Sequence, residues 1–238
     1  MKKIIKPTTL AETAFTVLRK AIIDQELEVN RLYSATELGE WIGGMSRTPI
    51  REAAQFLEKV GMVRIEKNKG IRILSTSLEM LVESFQIRLM LEVPIMRQAA
   101  TIRSAQDLVT IKSLYAAFEA AAQRNDVNAT LEADRDYHLG LLTIVGNSKA
   151  TSIIEDSRNT VLTTGASTIP HSRSCMDTFI DHVQLHQAML QGDGQAAAVA
   201  MKQHIINTAS LLITQESIKR PDWQGNDVMH QLSWINPE

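Results

Sequence analysis

Apolar residues recur at helical spacing from Thr8 to Gln25, where Leu10, Ala14, Val17, Leu18 and Ile22 share one face. A second, shorter helix lies in "YSATELGEWIGG", with Ser34 or Thr36 as its cap and Gly43–Gly44 as its stop. A third begins at Thr48–Pro49, a capping residue followed by a proline at the first helical position. Its buried stripe is Ile50, Ala53, Ala54, Leu57 and Val60, and Gly61 ends it. The pattern then changes period. "MVRIE" and "IRIL" alternate apolar and polar positions on either side of "KNKG", which predicts a β-hairpin. Three helices and a hairpin within the first 75 residues give the element order of a winged helix-turn-helix.

From Ser77 onward no convincing strand appears, and the period is helical as far as Glu216. Six helices are expected: "SLEMLVESFQIRLMLEVPIMRQAATI", kinked at Pro94; "SAQDLVTIKSLYAAFEAAAQ", capped by Ser104; "VNATLEADRDYHLGLLTIV"; "KATSIIEDSRNTVLTTG"; "CMDTFIDHVQLHQAMLQ"; and, after a "GDG" turn, "QAAAVAMKQHIINTASLLITQE". The fold class is therefore mostly α, an N-terminal winged helix-turn-helix followed by an all-α helical bundle. The boundaries are 1–75 for the first domain and 76–217 for the second. Residues 218–238, "IKRPDWQGNDVMHQLSWINPE", carry breakers without periodicity and receive no assignment.

Composition sharpens this division. The net charge of −2 averages two unlike parts. Through Leu74 there are 13 Lys and Arg against 9 Asp and Glu, and beyond it 12 against 18. All six histidines lie in the acidic part. A basic front and an acidic, histidine-bearing back suggest different partners. There is no run of about 18 apolar residues and no apolar stretch after the basic "MKKIIKP", so neither a membrane span nor a secretory signal is expected. The single cysteine, Cys175, suits a reducing cytoplasm.

The basic front has a specific layout. Arg47 and Thr48 stand at the start of the third helix, and Arg51 follows on its outer face with Gln55 and Glu58. A helix N-terminus offers free N–H groups and positive potential to phosphate, and arginine can grip guanine bidentately. Lys67 and Lys69 sit on the hairpin turn, within reach of neighbouring phosphates. A solvated face with surface ion pairs would show the same charges. "SRTPIREAAQFLEKVGMV" followed by "NKGIRI" resembles the DNA-binding domain of the GntR family of bacterial transcription regulators. The resemblance implies that Arg47, Thr48 and Arg51 contact DNA from the recognition helix, with Lys69 and Gly70 at the wing tip. Two departures bear on the operator sequence: "IGGMS" carries one residue more than the family's pattern before the arginine, and the second helix has Thr36 where arginine or glutamate is usual.

In the back domain, Asp134 and His138 are four apart and share a helix face, half of a possible metal site. A hydrogen-bonded helix pair would look the same. His182 and His204 lie at similar distances before and after the "GDG" turn, so an antiparallel helix pair would bring them level, about 15 Å from the turn. Imidazole and carboxylate together suit Zn²⁺, Ni²⁺ or another first-row divalent ion. His186, one turn after His182, competes for the same face, whereas His171 and His230 fall in loop-like sequence.

"RLMLE" (Arg88 to Glu92), "DRDYH" with Gly146–Asn147, "DHVQLHQAMLQGD" and "AMKQH" resemble the FCD effector domain of the FadR-like branch of the GntR family. The resemblance implies that Asp134, His138, His182 and His204 are metal ligands and that His186 is not. It further implies an open metal position for a small carboxylate effector, with Arg88 as carboxylate clamp and Asn147 assisting. Arg88 could instead form an ion pair with Glu92, four residues on. Together these features predict a cytoplasmic homodimer that reads a two-fold symmetric double-stranded operator, acts as a ligand-responsive repressor and catalyses nothing. A metal sensor without organic effector, or a metal-dependent hydrolase, would use the same four ligands. Against the hydrolase, Glu132 lies about 200° around the helix from Asp134 and cannot serve as its general base.

Overall fold

A computed structural model of the chain describes residues 9–23, 26–74, 78–163, 167–218, 232 and 235. Two compact units part between residues 77 and 78.

The first unit contains α1 (Leu10–Ile23), β1 (Leu32–Tyr33), α2 (Ala35–Trp41), α3 (Arg47–Lys59), β2 (Val63–Glu66) and β3 (Gly70–Ile73). Its core joins Ala14, Leu18, Ala21 and Ile22 of α1 to Leu38, Ile50, Ala53, Leu57, Val63, Ile71 and Ile73. Each large side chain buried here stabilises the unit by about 1.5–3 kcal/mol before entropy is counted. Leu10 and Val17, expected on the inner face of α1, are exposed instead. Ser34, not Thr36, caps α2, in a reciprocal pair with Glu37. Gly43 and Gly44 follow α2 with φ of +97° and +89°, a conformation glycine adopts without strain.

The third helix starts two residues earlier than the sequence suggests. Ser46, extended at φ −68°, ψ 162°, holds the cap position, and Arg47 and Thr48 are already helical. Pro49 is tolerated because backbone N–H groups in a first turn have no intrahelical partner. The inner face is Ile50, Ala53, Ala54 and Leu57, as expected, with Val60 partly buried. The hairpin pairs Val63 with Ile73 and Ile65 with Ile71 around Lys67–Lys69. The backbone N–H of Ile65 donates to Glu58 Oε1 at 2.6 Å, which ties the wing to α3. The sequence pattern missed β1, which pairs with β3 and completes a three-stranded sheet in the order β1-β3-β2.

The second unit is helical among its described residues: α4 (Leu78–Ile102), α5 (Ala105–Gln123), α6 (Val127–Thr143), α7 (Ser148–Thr163), α8 (Cys175–Ile180), α9 (Val183–Gln191) and α10 (Gly194–Ser217). Helix α4 runs unbroken through Pro94. The chief packing partners are α4 with α10 and α5 with α6. Their shared core includes Phe85, Met96, Phe118, Tyr137, Leu141, Leu185, Met201 and Ile205. Gly194 lets α10 begin tight against α4, since a Cβ there would fall 2.6 Å from the Arg97 carbonyl oxygen. Seven helices replace the expected six because "CMDTFIDHVQLHQAMLQ" breaks at Asp181–His182. Of the unassigned tail, Ile218, Leu232 and Ile235 are described, and the last two pack on this core.

Candidate functional site

Two features of the units bear on function, one in each. In the first unit, Thr36, Arg47, Arg51, Gln55, Lys67, Asn68, Lys69 and Gly70 line one open cleft between α2, α3 and the wing. Four of the five residues expected to meet DNA, Arg47, Arg51, Lys69 and Gly70, thus share this cleft; Thr48 does not line it, and Arg47, Thr48, Arg51 and Lys69 are exposed. Gln55 and Asn68 line the cleft without having been singled out. Gln55 had a signal, one helical turn after Arg51. Glu66 also lies in the cleft, its charge countered by Arg72.

In the second unit, α6 presents Asp134 and His138, the α8–α9 break presents His182, and α10 presents His204. One ligand-capable atom from each lies within 4.8 Å of all the others. His182 Nε2 is 3.0 Å from His138 Nε2 and 3.1 Å from Asp134 Oδ1. His138 Nε2 stands 3.8 Å from the same Oδ1. Ligands about 2.0–2.1 Å from one ion lie roughly 2.9–3.4 Å apart at angles between about 90° and 109°, so the nearest spacings suit a shared cation.

The tautomers strengthen the case. His138 Nδ1 is 3.1 Å from Glu92 Oε2, His182 Nδ1 is 2.8 Å from the Thr178 carbonyl, and His204 Nδ1 is 2.8 Å from Asp181 Oδ2. Each partner only accepts, so each Nδ1 carries the proton and each Nε2 is left with its lone pair. Three buried lone pairs and a carboxylate oxygen facing one another repel unless a cation lies between them. Histidines held this way by carboxylates and carbonyls are the usual support of a metal centre.

Protonation agrees. Burial, helped by Arg158, pushes His138 down to about 4 against the pull of Glu92 and Asp134. Burial and then His182 push His204 well below its ordinary value. Both rings are therefore neutral near pH 7, the form that binds metals. Burial opposes ionisation of Asp134, but Arg158, the His182 hydrogen bond and the nearby imidazoles hold its carboxyl well below the usual range. Glu92 is held down in the same way, with Arg88 the main counterweight to burial.

His186 turns away from this cluster. Its Nδ1 lies 3.2 Å from the Tyr137 hydroxyl, and its ring stacks on Tyr115 at 3.6 Å. Burial and Lys112 push His186 down to about 4. An unfolded histidine protonates near pH 6.5. Between about 6.5 and 4 the unfolded chain therefore binds more protons than the folded one, and stability falls as pH falls through that window. Metal-free protein is expected to lose thermal stability between pH 7 and 4.5, and His186→Phe to reduce that loss. An equal loss in both proteins would remove His186 as a contributor.

Arg88 is buried and donates from Nε to Glu92 Oε1 at 2.6 Å, so the ion pair weighed against the clamp is formed. Asn147 is exposed, and its side-chain oxygen accepts from the Ala150 N–H, capping α7. The structure does not bring Asn147 to the histidines. His171 is exposed, and His230 lies outside the described residues. Two supporting residues had no mark in the sequence. Arg158 of α7 donates to Asp134 Oδ2 at 2.5 Å. Asp181 holds His204 and also accepts from Arg173 and Asn207. Glu132 is exposed, away from the ligand cluster.

The FCD domain family matches residues 83–207. The Exu regulon transcriptional regulator of Escherichia coli is 28% identical over 196 residues, covering 73% of this chain and 72% of its own. The Uxu operon regulator of Haemophilus influenzae is 24% identical over 212 residues, covering 82% and 79%. Among solved structures, Lar of Listeria monocytogenes superposes with a TM-score of 0.69 at 17% identity, covering 88% of this chain and 99% of its own. McbR/YncC of E. coli gives 0.64 at 18%, covering 88% and 100%. At such identities the structures speak for the fold alone. The family match and the curated relatives place the chain itself: it belongs to the GntR family of bacterial transcription regulators, in the branch that carries an FCD domain, and it is a regulator rather than an enzyme.

Proposed function

We propose that this regulator is a homodimeric repressor that binds a divalent metal and a small carboxylate effector in its helical bundle. The observation that carries this is the convergence of three imidazole Nε2 atoms and Asp134 Oδ1, with every Nδ1 already engaged. Zn²⁺ or Ni²⁺ suits that donor set. Bound there, the ion would supply a Lewis-acidic position for an anionic oxygen. Asp134, His138, His182 and His204 hold it, while Glu92, Thr178 and Asp181 fix the rings.

Charge supports an anionic effector. Asp134 and Glu92 are matched by Arg158 and Arg88 before any ion arrives. A divalent cation then leaves a buried excess of about two positive charges, which an anion would relieve. Effector and DNA are coupled only in so far as the effector binds one arrangement of the dimer better than another. Repression is one mode among the relatives; the repressor RspR of E. coli is 25% identical over 181 residues. Elemental analysis and native mass spectrometry of the purified chain test the proposal. About one equivalent of metal per chain and an accompanying small acid are expected, and a metal-free protein that takes up no added Zn²⁺ or Ni²⁺ would overturn it.

The DNA side predicts a second outcome. Helix-turn-helix dimers read half-sites about one DNA turn apart, or a multiple of it. On operator fragments selected from random-sequence DNA, Arg51→Ala is expected to lose about 1–3 kcal/mol of specific binding, roughly 5- to 150-fold, if Arg51 reads a base. Binding-site selection with the variant should also relax at one position per half-site. Unchanged affinity at moderate salt would remove Arg51 from the interface.

A further inference from the structure

One acidic side chain on α3 is out of keeping with its neighbours. Glu58 is exposed and stands two helical turns after Arg51, on the same side of the helix. A negative charge on that side repels phosphate. The carboxylate is turned to the wing, where Oε1 accepts the Ile65 backbone N–H at 2.6 Å. In the sheet order β1-β3-β2, β2 is an outer strand that pairs with β3. The Ile65 N–H therefore points out of a sheet edge, and Glu58 covers it. The opposite flank of the hairpin is held by β1, through Leu32 with Arg72 and Tyr33 with Ile71. The wing is thus fixed on one side by the strand that leads into α2 and on the other by a side chain of α3. The turn that follows exposes Lys67 and Lys69, and it is closed by the Lys69 N–H donating to the Glu66 carbonyl at 3.0 Å.

We infer that Glu58 is a positioning residue for DNA binding. It sets the wing at a fixed bearing to α3, so that Lys67 and Lys69 meet phosphate while Arg47 and Arg51 occupy the major groove. This rests on the DNA reading above and adds to it a residue that itself touches no DNA. The anchor point is close to the tip: a strand rises about 3.3 Å per residue, which puts Ile65 about 7 Å from Lys67. A hydrogen bond from a backbone N–H to a carboxylate is roughly twice as strong as a neutral one. Glutamine in this place also accepts the N–H, whereas alanine cannot. The sign of the effect therefore separates a tether from a plain surface charge. As a charge alone, Glu58 weakens DNA binding, and either substitution tightens it. As a tether, alanine frees the wing and glutamine keeps it in place.

The test measures operator affinity of the full-length chain, on fragments selected from random-sequence DNA, between about 50 and 200 mM salt. The pair Lys67→Ala and Lys69→Ala is introduced into the parent, into Glu58→Ala and into Glu58→Gln. In the parent the two lysines are expected to carry about tenfold in affinity and about two in the salt slope, one for each phosphate. In Glu58→Ala the same replacement should cost less than about threefold, and the salt slope should have fallen by about one before the lysines are touched. Glu58→Gln should keep the parent's dependence on the lysines. A loss of stability alone lowers the active fraction equally with and without the lysines and leaves the slope unchanged, so the cycle separates positioning from folding. An undiminished lysine effect in Glu58→Ala, or tighter binding by both Glu58 variants, would overturn the inference. Lysines that cost nothing in the parent would overturn it too, since the wing then lies off the DNA while Arg51 keeps its place. Failure of the parent to select any operator would overturn the DNA reading and the inference together.

Discussion

Replacing His182 with Ala is expected to strip the divalent ion from this regulator while leaving its helical bundle standing. Four-ligand zinc sites in peptides bind with roughly 10–16 kcal/mol, so one ligand accounts for about 3–4 kcal/mol, on the order of 10²–10³ in affinity. His182 is the most connected of the four, with Nε2 within 3.1 Å of both His138 Nε2 and Asp134 Oδ1. It lies at the break between α8 and α9, outside any helix interior, so its loss leaves the backbone ladder intact. Competition against a chromophoric chelator reads the affinity, and circular dichroism reads the fold. His186→Ala, only one turn away, is the matched control and should bind metal as the parent does. Equal losses in both variants would mean that the cluster is not the site. Collapse of helical signal in His182→Ala alone would make the ion structural, and effector signalling would need another seat.

The contrast between His182 and His186 also marks where sequence stops being informative. Both lie on one apparent helical run, four residues apart, and periodicity alone puts them on one face. The structure separates them because the run breaks at Asp181–His182. Ser174 and Asp177 cap α8 reciprocally, and Asp181 then serves His204 and Arg173 instead of prolonging the helix. An apolar stripe passing through the break hides it. The start of α3 shows a milder case: Ser46 and Thr48 are both capping residues, and only the extended backbone at Ser46 decides between them. Strand β1 is too short, at two residues, to show alternation. Arg158 is a different kind of omission. Its role comes from α7 meeting α6 across the bundle at Asp134, and contacts between distant helices leave no period to count. By contrast, the inner face of α3 and the Asp134–His138 pair follow from spacing within one helix, and both were legible.

Glu92→Leu is expected to destabilise the helical bundle by about 3–5 kcal/mol even when no metal is present, the range for removing one partner of a buried ion pair. Glu92 is fully buried on α4 and accepts from Arg88 Nε and from His138 Nδ1, with Arg158 nearby. Without it Arg158 keeps Asp134, but Arg88 loses the carboxylate it is paired with and remains in a site closed to water. For a chain of this size each kcal/mol moves the midpoint by about 2–4 °C, so a drop of roughly 6–20 °C is expected. Because the chain comprises two units, calorimetry must follow the bundle transition and not a single global midpoint. The control is the double replacement Arg88→Met with Glu92→Leu, which removes both charges and restores apolar volume. It should recover most of the loss, since a buried pair exchanged for hydrophobic groups is often neutral or stabilising. If Glu92→Leu melts within 2 °C of the parent, on the order of 1 kcal/mol or less, the carboxylate is not what holds Arg88 in the core. If the double variant is as unstable as the single one, the loss comes from packing around Glu92 and not from its charge. Recovery of stability without recovery of metal affinity would separate the two tasks of this side chain: neutralising Arg88, and orienting His138.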